Sequence, residues 1–179
     1  MLEITIPGTE MYDNVKEEFI TIKEQTLQLE HSLVSISKWE SKWHKLFLSK
    51  KEKTNEETLD YIRCMTLTEN VDPNVYLGLT DANVKEINEY IENPMTATTV
   101  PDSKDKNSKE QVSSELIYYW MIAQNVPVEF QHWHLNRLLT LLRVCSVKNT
   151  PPKQMSKSEL TSRYAAMNAA RRKKLNSKG

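Results

Sequence analysis

The run from Ser114 to Lys148, SELIYYWMIAQNVPVEFQHWHLNRLLTLLRVCSVK, constrains the fold most, because it is the densest apolar stretch and a single proline cuts it. Pro127 has no amide hydrogen and pushes Val126 out of the α region, yet it suits the first turn of a new helix. The pattern therefore predicts a helical hairpin. Its first arm is apolar on nearly every side from Leu116 to Ala123, which implies contacts all round. Its second arm is expected from Pro127 to Val147, with Phe130, His134, Leu138, Leu141 and Cys145 on one stripe and Val128, Leu135, Leu139 and Leu142 on the next. Tyr118, Tyr119 and Trp120 precede this pattern without interleaved Lys or Arg, so packing is favoured over base stacking.

Upstream, Leu2, Ile4 and Ile6 alternate with polar residues until Pro7-Gly8, and Phe19–Ile22 and Leu27–Leu29 repeat the alternation. These runs predict a small two- or three-stranded antiparallel element over residues 1–31, packed on the helices because it is too small to stand alone. Its open edge is a place where another subunit can add a strand. Ser32 or Ser35 is expected to cap a helix carrying Ile36, Trp39, Trp43 and Phe47 at helical spacing. Thr54 with Glu57 reads as a capping box, Asp72-Pro73 starts a short turn ending near Gly78, and Thr80 or Asp81 opens a helix stopped before Pro94. Residues 96–109 lose apolar periodicity and read as a mobile surface loop. After Pro151-Pro152, Ser156 with Glu159 makes a second capping box before a helix whose apolar seam is only Leu160, Tyr164 and Met167. The expectation is a mainly α fold, a helical bundle around the hairpin over 32–150, with the minor N-terminal β element and a basic C-terminal helix over 151–179.

Several chemistries lack their residues. Gly8, Gly78 and Gly179 stand alone, so no glycine-rich phosphate cradle is present. His132-Trp133-His134 is the only histidine cluster, and two-residue spacing on a helix points the rings apart, so a structural role is preferred to a metal site. Cys64 and Cys145 fall in apolar helical patterns and read as reduced buried thiols. No acid, base and nucleophile can be assembled from the spacings, so the reading is non-enzymatic, with no cofactor and no metal. No run reaches the length of a membrane span and no signal peptide opens the chain, which places the protein in the cytoplasm.

Net charge is zero but polarised: residues 1–31 hold seven acids and two bases, residues 153–179 eight bases and one acid. Such asymmetry suits a partner-binding tail, head-to-tail self-association, or simply two solvated ends. Candidate contact residues are the tryptophans Trp39, Trp43 and Trp133, the seam Leu160, Tyr164 and Met167, and the basic cluster Arg171, Arg172, Lys173 and Lys174. That cluster is either a favourable helix end or an electrostatic contact with an acidic protein or nucleic acid.

The order of EHSLVSISKWESKW, ETLDYIRCMT, SELIYYWMIAQNVPVEFQHWHLNRLLTLLRV, PPKQMSKSEL and the terminal ARRKKLNSKG resembles the tail assembly chaperones of long-tailed bacteriophages. The resemblance implies a protein of the bacterial host cytoplasm that coats the long helical tape measure protein and keeps it from aggregating until tail-tube subunits replace it. The alternatives are a structural tail or neck component, or a nucleic-acid-binding regulator acting through the basic arm.

Overall fold

The computed structural model describes residues 1–13, 17–99, 111–149 and 156–175. They form a mainly helical protein with a small antiparallel β element at the N-terminus, in the class the sequence predicts. The chain divides into two units, residues 1–147 and 148–179.

The β element is a single long ribbon. Strand β1 (Leu2–Ile6) pairs with β4 (Gln25–Leu29), and β2 (Thr9–Asp13) with β3 (Glu18–Ile22), each antiparallel and with one register continuing through both ladders. Pro7-Gly8 interrupts one side, opposite Lys23-Glu24. A Cβ on Gly8 would lie 3.3 Å from the Glu24 amide nitrogen, so a side chain there would require the facing backbone to give by a few tenths of an ångström. Strand β2 is absent from the sequence reading because Thr-Glu-Met-Tyr-Asp does not alternate cleanly; its pairing with β3 supplies what its own pattern lacks.

The expected free edge is largely taken. Thr66 bridges Leu29, with Glu30 donating to the Met65 carbonyl at 2.9 Å and Leu67 to the Gln28 carbonyl at 2.8 Å. On the other side the Asn83 amide donates to the Thr5 carbonyl at 3.2 Å. Among the described residues, then, the proximal half of the ribbon offers little edge for strand addition.

Ser32 caps α1 (Leu33–Trp43), and His44, in the left-handed conformation, ends it. The helix therefore stops before Phe47, which the sequence places on its stripe; Phe47 instead returns to the same cluster from the following loop, edge-on to Trp39 at 5.3 Å. The expected capping box of Thr54 with Glu57 forms at the start of α2 (Asn55–Met65), and Thr80 opens α3 (Asp81–Glu92) through a further reciprocal box with Asn83 that its sequence, lacking Glu or Gln at that place, does not advertise. A 3-10 turn, Pro73–Gly78, lies on the ribbon, and a Cβ on Gly78 would meet Ile6 at 3.1 Å and Ile22 at 3.4 Å.

The hairpin region differs from expectation in two ways. Its first arm, α4 (Ser114–Ala123), buries Ile117 and Met121 but leaves Tyr119 63% and Ile122 75% exposed, so it is not surrounded. The second arm is not one helix from Pro127 to Val147. A 3-10 turn (Val128–His132) is followed by extended Trp133 and His134, and α5 runs Leu135–Asn149. The break has a non-local cause: Ser32 bridges His134, and the Leu135 amide donates to the His31 carbonyl at 2.7 Å. Apolar spacing is continuous across this point, but the pairing takes the backbone out of the helix.

One core joins the ribbon (Ile4, Ile6, Leu27, Leu29), α1 (Leu33, Ile36, Trp39), α2, α3 and the hairpin (Ile117, Leu135, Leu138). Helix α1 packs on α2, on α4 and on the 3-10 turn after Pro127. The second unit contains α6 (Lys157–Leu175). The expected mobile loop lies outside the described residues from 100 onward, as does Pro151-Pro152.

Candidate interaction surfaces

The titratable groups that meet inside the first unit are internally satisfied. His31 and His134, far apart in sequence, stack edge to face with ring centroids 5.1 Å apart. His134 Nδ1 accepts from the Asn136 amide at 3.3 Å, which leaves Nε2 to donate to the Tyr90 carbonyl at 3.0 Å. The ring is thereby neutral in one tautomer. His31 Nδ1 pairs with the Tyr61 hydroxyl at 2.6 Å, and burial, then the neighbouring His134, pulls its pKa down to about 3. Tyr90 donates to Glu30 at 2.7 Å. This cluster ties the ribbon end to α2, α3 and the start of α5.

Trp39, 1% exposed, donates through Nε1 to the Glu57 carbonyl at 2.9 Å and stacks on Trp43 at 6.2 Å. It offers no surface to a partner. Trp43 is half-buried and donates to Asp60 at 2.9 Å. Burial works to raise the Asp60 pKa, but the hydrogen bonds from Lys42 and Trp43 outweigh it and hold the carboxyl below its usual range. The Lys45 ammonium and then the Thr54 amide do the same for Glu57. Trp133 is half-buried, stacked on Phe130 at 3.9 Å and covered by the Arg137 guanidinium at 4.1 Å. Edges of Trp43 and Trp133 thus reach solvent, each already engaged by the chain.

An apolar groove went unseen in the sequence because four separate segments line it. The loop after α1, the lead-in to α4, and faces of α4 and α5 enclose about 940 Å³, with Leu48, Trp120, Leu139 and Leu142 in its walls. Lys50, Lys51 and Arg143 stand at it, all exposed, and no acidic residue lines it or pairs with them among the described residues. Buried Glu40 holds its walls together: one carboxylate oxygen accepts from the Phe47 amide and the other from the Ser114 amide at the start of α4, each at 2.8 Å. Gln124, on the wall, has a buried Oε1 that accepts no hydrogen bond among the described residues.

In the second unit, Ser156 and Glu159 form the expected reciprocal cap, which draws the Glu159 carboxyl below its usual range. Every described side chain of α6 is exposed. Leu160, Tyr164 and Met167 fall on one stripe that continues through Arg171 to Leu175. Arg172, Lys173 and Lys174, being consecutive, spread around the helix end instead of making one charged face, and they suit the negative end of its dipole.

Among the described residues no group of three or more His, Cys, Asp or Glu is placed to hold a metal, and no helix is long and apolar enough to cross a membrane. Cys64 and Cys145 are free and half-buried, and burial raises the Cys64 thiol pKa. No protein-family model, no curated protein and no solved structure matches the chain.

Proposed function

We propose that this protein is a non-enzymatic tail assembly chaperone of a long-tailed bacteriophage, acting in the host cytoplasm, which binds the tape measure protein and keeps it soluble during tail assembly. The resemblance of its ordered segments to that family supports the reading. The observation that carries it is α6: a capped helix with an uncovered Leu160, Tyr164 and Met167 seam and a basic end. A narrow seam of this kind lies naturally along the apolar stripe of a long client helix.

The magnitudes suit a reversible coat. Burying each seam side chain is worth roughly 1.5–3 kcal/mol, against an association cost of about 4–15 kcal/mol. One arm alone is therefore a weak, exchangeable contact, and several arms on one client gain by effective concentration.

The test is co-expression of the full chain with the tape measure protein, reading the soluble client fraction and co-purification. The wild type is expected to raise both, and a Leu160→Ser, Tyr164→Ser, Met167→Ser variant to lose both. A client equally insoluble with and without the wild-type chain overturns the reading. Binding to nucleic acid that collapses steeply with salt would point to the regulator instead, since a contact dominated by apolar burial is much less salt-sensitive.

A further inference from the structure

The distal half of the β ribbon has an outward face that packs on nothing described. On β2–β3, Ile20 and Ile22 turn toward the core, so the alternating residues Glu10, Tyr12, Phe19 and Thr21 face away from it. Tyr12 and Phe19 are directly paired across the strands, edge to face at 5.1 Å, yet 51% and 72% exposed. A cross-strand aromatic pair steadies its own ribbon only modestly, and most of the apolar area of these two rings stays in water. Glu10 shares the face of the pair and Glu17 follows at the turn, while Glu18 lies on the opposite face, and over residues 9–22 the sequence holds four acids against one base. The groove on the same unit is its chemical complement: apolar walls, three cations without an ion-pair partner among the described residues, and no acid among its lining residues.

We propose that the groove of one copy takes the acidic aromatic tip of the β2–β3 ribbon of a second copy. Phe19 and Tyr12 enter between Leu48, Trp120 and Leu142, and Glu10 on the same face, with Glu17 at the turn, meets Lys50, Lys51 and Arg143. The Tyr12 hydroxyl supplies a donor of the kind the Gln124 Oε1 lacks. Helix α6, the other apolar-and-charged element of the chain, has the wrong sign for this site. Because ribbon and groove are different patches, the contact is head-to-tail: each copy in a pair keeps one unused patch, and association continues into a ring or an open chain. This inference concerns copies of the chain alone and stands or falls apart from the identity of the client.

Light scattering and sedimentation of the full chain across concentration provide the test. The average mass is expected to rise with concentration at low salt and to fall back as salt is added. Tyr12→Ser with Phe19→Ser, and separately Leu48→Asp with Lys51→Glu, change exposed side chains and are expected to give folded monomers by circular dichroism. The decisive sample is their equimolar mixture. The first variant keeps its groove and the second keeps its ribbon, so they should form a one-to-one dimer that grows no further. A wild type monomeric at every concentration, a ribbon variant that associates like the wild type, or a mixture that stays monomeric each overturns the proposal.

Discussion

At the scale of single residues, the first unit is held by polar groups buried with designated partners. Trp39 is the extreme case, since its ring fills the core while Nε1 satisfies the Glu57 carbonyl. Trp39→Ala is expected to cost about 3–5 kcal/mol by chemical denaturation. Trp39→Phe keeps most of the ring but orphans the carbonyl, and about 1–3 kcal/mol is expected. His31 makes stability depend on pH. Its folded pKa, about 3, lies below the ordinary 6.5, so the folded state refuses a proton that the unfolded chain accepts. The contribution is complete above pH 6.5 and is lost as pH falls toward 3. Glu57 and Asp60 begin to add to the loss only below their ordinary values of 4.5 and 3.8. Between those windows the unfolding free energy should fall by up to about 1.4 kcal/mol per pH unit for each excluded proton. In His31→Gln, which keeps a partner for Tyr61, the slope should be shallower; His134, also depressed by burial, accounts for the remainder.

At the scale of elements, legibility followed locality. The boxes at Thr54 and Ser156 connect residues three apart, and a short window of sequence contains all their chemistry. The start of α5 is set by Ser32 and His31, about a hundred residues away, and no such window contains that. At α4 composition is a poor guide to surroundings: the helix is almost wholly apolar, which predicts enclosure, yet Tyr119 and Ile122 face outward. The groove was illegible for the same reason as α5, because Leu48, Trp120 and Leu142 become neighbours only in the folded chain. Gly78 shows how closely two elements approach. A methyl there meets Ile6, which is fully buried and has nowhere to go, so Gly78→Ala is expected to cost about 1–3 kcal/mol, measurable as a lowered denaturation midpoint.

At the scale of the whole molecule, the two proposed contacts fall on different units. The first unit carries both halves of the proposed contact between copies, and the second carries the seam proposed for the client. The seam variant should accordingly leave the thermal midpoint of the first unit unchanged, since Leu160, Tyr164 and Met167 are all exposed; a shift of several degrees in a calorimetric scan would contradict the division. The polarity of charge is legible along the sequence, but the aromatic pair beside the acidic residues is not, because only the pairing of β2 with β3 brings Tyr12 against Phe19.

Glu40 has a consequence for how this protein can vary. A single carboxylate anchors the backbone at Phe47 with one oxygen and at Ser114 with the other. Damage on either flank is therefore felt across the cleft. Paired substitutions, one per flank, should combine non-additively by about 0.5–3 kcal/mol in a double-mutant cycle, and the coupling should vanish in a Glu40→Ala background. Drift at these two distant stretches is then bound to be correlated, one stretch constraining what the other can tolerate.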